Sequence, residues 1–260
     1  MVIDSPLLPG SMAVFLLMSV RIGLVITLIP GLSGRSVPNQ AKVALTVLLA
    51  LMLSPFVQAD AVALSRADRF VLALAQEFLV GLALGLAVAM IFAAVEMAAS
   101  IISFQLGFSL ANVFNPTLNL QGTALNTLYL ALAALLLFIT NGHHLLLLGL
   151  QRSFQSIPLG GVRPAPGADQ TLIELSAAMF SNALRLGLPI AGTLLVADVA
   201  LGILSRMVPQ MNVFFVGLSA KVFAGLLLLA LTLPFLIRVL SDVVTRELGD
   251  AMAQMLQVLR

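Results

Sequence analysis

The chain has 260 residues, 60% of them apolar and 9% charged; a soluble domain carries about 25% charged residues, so this composition argues against a free-standing soluble globule and equally against a disordered chain. Zero cysteines exclude a disulfide scaffold, a thiolate metal site and a cysteine nucleophile. The net charge of +2 comes from 13 basic and 11 acidic residues with no dense basic run, so nucleic acid is not expected as a partner.

The N-terminus lacks the positive region that opens a secretory signal, and Arg21 interrupts the apolar run that follows. That run, Met12 to Ile29, therefore reads as a retained segment, ended by Pro30-Gly31. Its 18 residues make a helix of roughly 27 Å, close to the ~30 Å of a bilayer's hydrocarbon core. A second run spans Ala41 to Val57, between Pro38 and a polar joint at Gln58 to Arg69. The third, Phe70 to Phe104, carries Gln76, Glu77 and Glu96. As one helix its 35 residues reach roughly 50 Å, so it is either a long helix or a bent pair.

Gln105 to Gly122 follows without a single charge. Gly107, Asn112, Asn115-Pro116, Asn119 and Gly122 are turn and breaker residues. Thr123 to Thr140 is a fourth apolar run, punctuated by Asn141-Gly142 and followed by a shorter one, His143 to Leu150. Ile157 to Asp169 reads as a loop rich in proline and glycine. The fifth run, Thr171 to Met207, is expected to break at Gly187 and Pro189. Val213 to Ile237 is the last membrane-type run. From Arg238 to Arg260 apolar residues recur at helical spacing opposite polar ones, an amphipathic helix that lies on a membrane, on a partner or on its own bundle.

Four ionisable residues sit deep in apolar runs: Arg21, Glu96, Arg185 and Asp198. Each costs about 2.5–3.5 kcal/mol at a bilayer centre on insertion scales. Their charges cancel, which fits structural pairing; an ion or proton relay is the functional reading. Arg185 and Asp198 are 13 residues apart, about 20 Å along one helix and on opposite faces, so their partners lie on other elements. Gly81 and Gly85 have small-xxx-small spacing, which permits close helix approach. His143 and His144 point about 100° apart on a helix, with no Cys, Asp or Glu nearby to complete a metal site. No P-loop, nucleophile elbow or zinc motif is present, so neither a catalytic residue nor a metal or cofactor is expected. Loop charges give no clear orientation by the positive-inside rule.

Five stretches resemble the R subunit of the type III secretion export gate, the FliR family of flagella. They are Arg21 with the Pro30-Gly31 and Val37-Pro38 turns; Glu77-Phe78-Leu79-Val80-Gly81 with Gly85; QLGFSLANVFNP from Gln105 to Pro116; NGHHLLLLGLQRSFQSIPLG from Asn141 to Gly160; and DVALGILSRMVPQMNVF from Asp198 to Phe214. One departure is Asn115, where relatives often carry Asp before the proline.

The resemblance implies an all-α, membrane-type protein of long bent helices and helical hairpins, built to pack into a larger helical assembly. The chain, 1–260, is then one export-gate subunit domain. Its parts are hairpins and a long helix over 12–104, a plug-like segment over 105–122, a second helical part over 123–237 and the amphipathic helix over 238–260. It implies a non-enzymatic subunit of flagellar biosynthesis at the basal body in the bacterial inner membrane, in contact with lipid. The expected partners are the P and Q gate subunits, a B-type switch subunit, an A-type export subunit and the unfolded proteins that pass through the pore.

The family further implies that a loop of this subunit plugs the closed pore. By position that is Gln105–Gly122, with Gly107, Phe108, Ser109, Leu110, Asn112, Val113, Phe114, Asn115 and Pro116. Phe108, Leu110, Val113 and Phe114 suit a seal against ions, and Gly107 and Asn115-Pro116 suit the bends; a re-entrant connector packed in protein is the structural alternative. From another class, a proton-coupled secondary transporter of a small solute draws support from the expected break at Gly187–Pro189 and from Glu96 and Asp198. It also predicts internal repeats, of which the sequence shows no convincing period.

Overall fold

The structure is a computed structural model. It describes residues 10–29, 37–57, 66–108, 123–162, 167–208 and 213–259. Every regular element among them is helical: α1 (Gly10–Leu28), α2 (Asn39–Leu53), α3 (Ala67–Gln105), α4 (Ala124–Ile139), α5 (Gly142–Ser156), α6 (Ala168–Met207), α7 (Val213–Asp242) and α8 (Leu248–Val258). The all-α, membrane-type fold is thus as the sequence leads one to expect. Four of the described helical stretches are long and apolar enough to cross a membrane, or five if the bent pair α4–α5 counts as one span.

Helix limits follow local chemistry. Pro38 sits at the N-cap of α2 with φ −58° and ψ 142°, and its carbonyl accepts from Ala41 N–H at 3.0 Å; proline has no N–H to strand there. The helix ends in a 3₁₀ turn, Ser54–Phe56. The third run resolves as a single helix of 39 residues, α3, rather than a bent pair. Between α4 and α5 the chain turns at Asn141, whose φ of 58° is left-handed, a conformation that asparagine tolerates better than most residues. Helix α5 runs on to Ser156, six residues past the apolar run that announces it.

Two expectations need correction. Thr171–Met207 is not broken at Gly187 and Pro189: α6 is one helix of 40 residues with Pro189 inside it. One proline removes one backbone donor, and a long apolar helix with close neighbours absorbs that loss. Nor does the tail begin a new element at Arg238. Helix α7 continues to Asp242, and one π turn, Val243–Glu247, joins it to α8. No Gly or Pro in 238–248 interrupts the backbone ladder, and the π turn is an insertion within a helix rather than an end.

The chain divides into two compact units. The first comprises Met1–Ile91, Phe138–Ala177 and Thr245–Arg260. In it α1 and α2 form a hairpin, with Gly23 facing the Thr46 side chain. Leu17, Met18, Ile22, Val80 and Leu84 are fully buried. Helix α8 packs its apolar face, Leu248, Met252 and Met255, on this unit, with Met252 seated in the notch over Gly149 of α5. Of the readings open for the amphipathic tail, packing on its own bundle is the one observed.

The second unit comprises Phe92–Leu137 and Ala178–Val244. Its core holds Val95, Ala98, Ile102, Leu106, Tyr129, Ala133, Leu186 and Ile190. The α-carbon of Ala98 lies 3.6 Å from where a side chain on Gly187 would begin, and Leu106 occupies the equivalent space at Gly225. A Cβ at 187 would make only ordinary van der Waals contact, whereas at 225 Leu106 already fills its place, so glycine at 225 is what admits Leu106 against α7.

Candidate functional site

Two polar clusters stand out in otherwise apolar helices, one in each unit. In the first unit Arg21 of α1 is completely buried, and so is Glu77 of α3. The guanidinium clasps the carboxylate two-handed: Nε donates to Oε2 at 2.6 Å and Nη2 to Oε1 at 2.9 Å. Nη1 donates to Ser153 Oγ at 3.3 Å, and both Nη1 and Nη2 reach the Ile157 carbonyl at 3.2 Å. All five guanidinium donors are thereby used. Glu77 Oε1 also accepts from Gly160 N–H at 3.1 Å, and the guanidinium carbon lies 4.4 Å from the centre of the Phe154 ring. One saturated ion pair therefore ties α1, α3, α5 and the turn after α5 together.

Close backbone approach makes this reach possible. A Cβ on Gly81 would stand 2.9 Å from the Arg21 carbonyl oxygen, and one on Gly85 would stand 2.6 Å from a Leu28 methyl. Glu77 and Gly81 are one turn apart on the same face of α3. The small-residue spacing read in the sequence is thus a seat for α1.

In the second unit Asp198 of α6 is held from both sides. Lys221 Nζ of α7 is 2.6 Å from Oδ1, and Gln105 Nε2, at the end of α3, donates to Oδ2 at 2.6 Å. The Asp198 side chain is 38% exposed and that of Lys221 15%, which sets the scale of the interaction. The double-mutant cycle of Asp198→Asn with Lys221→Met is expected to give a coupling of about 1 kcal/mol. Detergent unfolding of the four proteins checks it, and additivity of the two single effects contradicts it.

Gln105 also marks where α3 stops. Gly107 takes φ 80°. Its N–H bonds the Phe104 carbonyl, and the Phe108 N–H bonds the Ser103 carbonyl, each at 3.0 Å. This is a Schellman closure with glycine at its left-handed position. The chain re-enters described structure at Thr123, which caps α4 reciprocally with Asn126. Asn126 N–H donates to Thr123 Oγ1 and Thr123 N–H to Asn126 Oδ1, both at 3.4 Å. Thr123 Oγ1 also shares a hydrogen bond with Ser103 Oγ, while Asn126 Nδ2 donates to Ser100 Oγ at 2.8 Å. The exit of α3 and the entry of α4 are thus bonded directly to each other.

Of the residues singled out in the uncharged segment, Gly107 and Phe108 are placed as above. Ser109, Leu110, Asn112, Val113, Phe114, Asn115 and Pro116 lie outside the described residues. The four deep charges do not pair among themselves. Arg21 takes Glu77 and Asp198 takes Lys221, while Glu96 and Arg185 are exposed on their helices. Glu77 and Lys221 are the partners that sequence reasoning missed. Both interrupt apolar runs, and adding them to the four gives a set of three basic and three acidic residues. The His143 ring makes tilted contacts with Phe138, at 5.2 Å between ring centres, and with His144, at 4.3 Å. Among the described residues no group of His, Asp or Glu could hold a metal ion.

The model of the family described as "Bacterial export proteins, family 1" matches residues 12–246. The chain is 34% identical over 232 residues to the flagellar biosynthetic protein FliR of Bacillus subtilis (strain 168), covering 88% of this chain and 89% of that one. It is 35% identical over 217 residues to the protein so named in Escherichia coli (strain K12), 83% and 82% of the two chains. The likeness to that of Pectobacterium carotovorum subsp. carotovorum is 33% over 240 residues, 91% and 90%. With matches that run through nearly all of both chains, and with helices of membrane-spanning length, the chain belongs to the bacterial export proteins of family 1 as a multi-pass membrane member of the flagellar export apparatus.

Proposed function

We propose that the chain is a non-enzymatic subunit of the export gate, acting as one domain over 1–260, and that its Gln105–Gly122 segment helps to close the pore through which unfolded proteins leave. The observation that carries the reading is the pairing of an uncharged segment with a rigid base. The segment has no charge to trap passing polypeptide. Its two ends are clamped together by Ser103 and Thr123, next to the Gln105–Asp198–Lys221 cluster. A closure element needs fixed ends and a sequence that seals without sticking, and apolar constrictions gate by excluding water.

The P and Q subunits, with the B-type switch and A-type export subunits, are the partners proposed. Support comes from the apolar surface left open. Helix α2 buries only Ala50, and Met207, Phe223 and Leu231 are among the most exposed side chains of α6 and α7. Such faces suit lipid or neighbouring helices. The transporter alternative loses one support, because α6 is continuous through Pro189.

Deleting Leu110–Pro116 tests the closure. Cells carrying the deletion are expected to leak ions and small solutes, read as dye uptake or a collapsed membrane potential. Unchanged permeability with a normally assembled complex contradicts it.

A further inference from the structure

We propose that Glu96 and Arg185 are where neighbouring subunits dock, Glu96 against a membrane helix that carries a Lys or Arg and Arg185 against one that carries an Asp or Glu. Both lie in the second unit, on α3 and α6, helices long and apolar enough to cross a membrane. Both are exposed. Among the described residues neither side chain has a hydrogen-bond or ion-pair partner, whereas Arg21, Glu77, Asp198 and Lys221 are all answered within the chain. Arg185 stands near the middle of the 40 residues of α6, about 25 Å from its nearer end, too far to snorkel to the surface of a bilayer. The α3–α6 contact at Ala98 and Gly187 is two residues from each charge, so Glu96 sits about 3 Å along α3 from the same contact.

Two residues are also about 200° around a helix, so each charge points away from the other helix. Acid and base therefore lie on opposite sides of the α3–α6 pair and do not answer one another. On α3 the only exposed residues between Ala83 and Gln105 are Glu96, Ser100 and Phe104, a stripe one residue wide at one-turn spacing. A stripe that narrow fits a single helix laid along it. On α6 Arg185 lies among Ser181, Leu184 and Leu188, all exposed. Lipid on either face would leave a charge at mid-membrane with the full cost of its insertion. A cation facing Glu96 and a carboxylate facing Arg185 remove that cost. With opposite signs on its two sides the subunit fits between unlike neighbours in one order only, since the reverse order sets like charges together. The inference rests on the export-gate reading, which supplies those neighbours.

The test uses the tagged full chain in its native membrane. A photoreactive phenylalanine analogue in place of Leu188 or of Phe104 captures the helix that covers each face, and mass spectrometry of the fused peptides reads it. The product at 188 is expected to hold an apolar span with an Asp or Glu inside it, and the product at 104 one with a Lys or Arg. Arg185→Glu is expected to lower recovery of the P and Q subunits about tenfold, Arg185→Lys to keep most of it, and exchange of the captured acid for Arg to rescue Arg185→Glu. Thermal unfolding of the Arg185→Glu chain by itself in detergent stays at the wild-type value, because Arg185 has no partner on its own chain. The chain has no cysteine, so Arg185→Cys also reports access to water at one place, and in the assembled complex it is expected to resist a water-soluble thiol reagent. Capture of lipid alone, a captured span without the opposite charge, a reactive Arg185→Cys, or full recovery of P and Q with Arg185→Glu overturns the inference. In each of these cases P and Q recovered with the wild type leave the gate reading standing, whereas a wild-type chain that comes alone overturns both.

Discussion

Glu77→Ala is expected to cost about 3–5 kcal/mol, the loss that follows when one member of a buried ion pair is removed. Arg21 would stay fully buried with its charge unanswered, and Gly160 N–H would lose its acceptor. Whole proteins are stable by only about 5–15 kcal/mol, so the variant should fail to accumulate in membranes. Immunoblots of membrane fractions with a pulse-chase read the effect directly. Replacing both partners, Arg21→Met with Glu77→Leu, removes the charge together with its partner and is expected to recover much of the level, since apolar replacement of a buried pair is often neutral or better. Normal accumulation of Glu77→Ala contradicts this account of the cluster.

The second large effect is expected at Gly81. A Cβ there meets the backbone of Arg21, its carbonyl oxygen at 2.9 Å and its α-carbon at 3.0 Å, and backbone cannot swing aside. At Gly85 the nearest atom is a methyl at the flexible end of Leu28. Gly81→Ala should therefore destabilise more than Gly85→Ala, within the roughly 1–3 kcal/mol typical of overpacking. Gly81→Leu should go beyond Ala, because pushing α1 away also draws Arg21 from Glu77. Thermal unfolding of the detergent-solubilised variants checks the order, and a Gly85→Ala that is worse than Gly81→Ala contradicts it.

Much of the fold was legible because membrane-type helices announce themselves by length and apolar content. The limits at Pro38, Asn141 and Gly107 follow from residues whose backbone preferences are strong. Two readings gave way to context. Pro189 looked like a break, yet one missing donor in a 40-residue helix did not stop it. The tail looked like a separate element because its polarity changes at Arg238, but polarity decides which face is buried, not where the backbone ends.

The candidate site was half legible. That Arg21 and Asp198 needed partners followed from the cost of burial. Which partners they took depended on helix crossings, and the sequence does not show that Gly81 lets α1 close on α3, or that α7 brings Lys221 to Asp198. The uncharged stretch was visible by composition, whereas the bond between its two ends, Ser103 to Thr123, joins two helices and leaves no periodic signal.

The most direct measurement is gentle detergent purification of the tagged chain from its native membrane, with mass spectrometry of what comes with it. A stable complex containing the P and Q gate subunits is the predicted result. A monomer or homodimer free of both would contradict the export-gate reading.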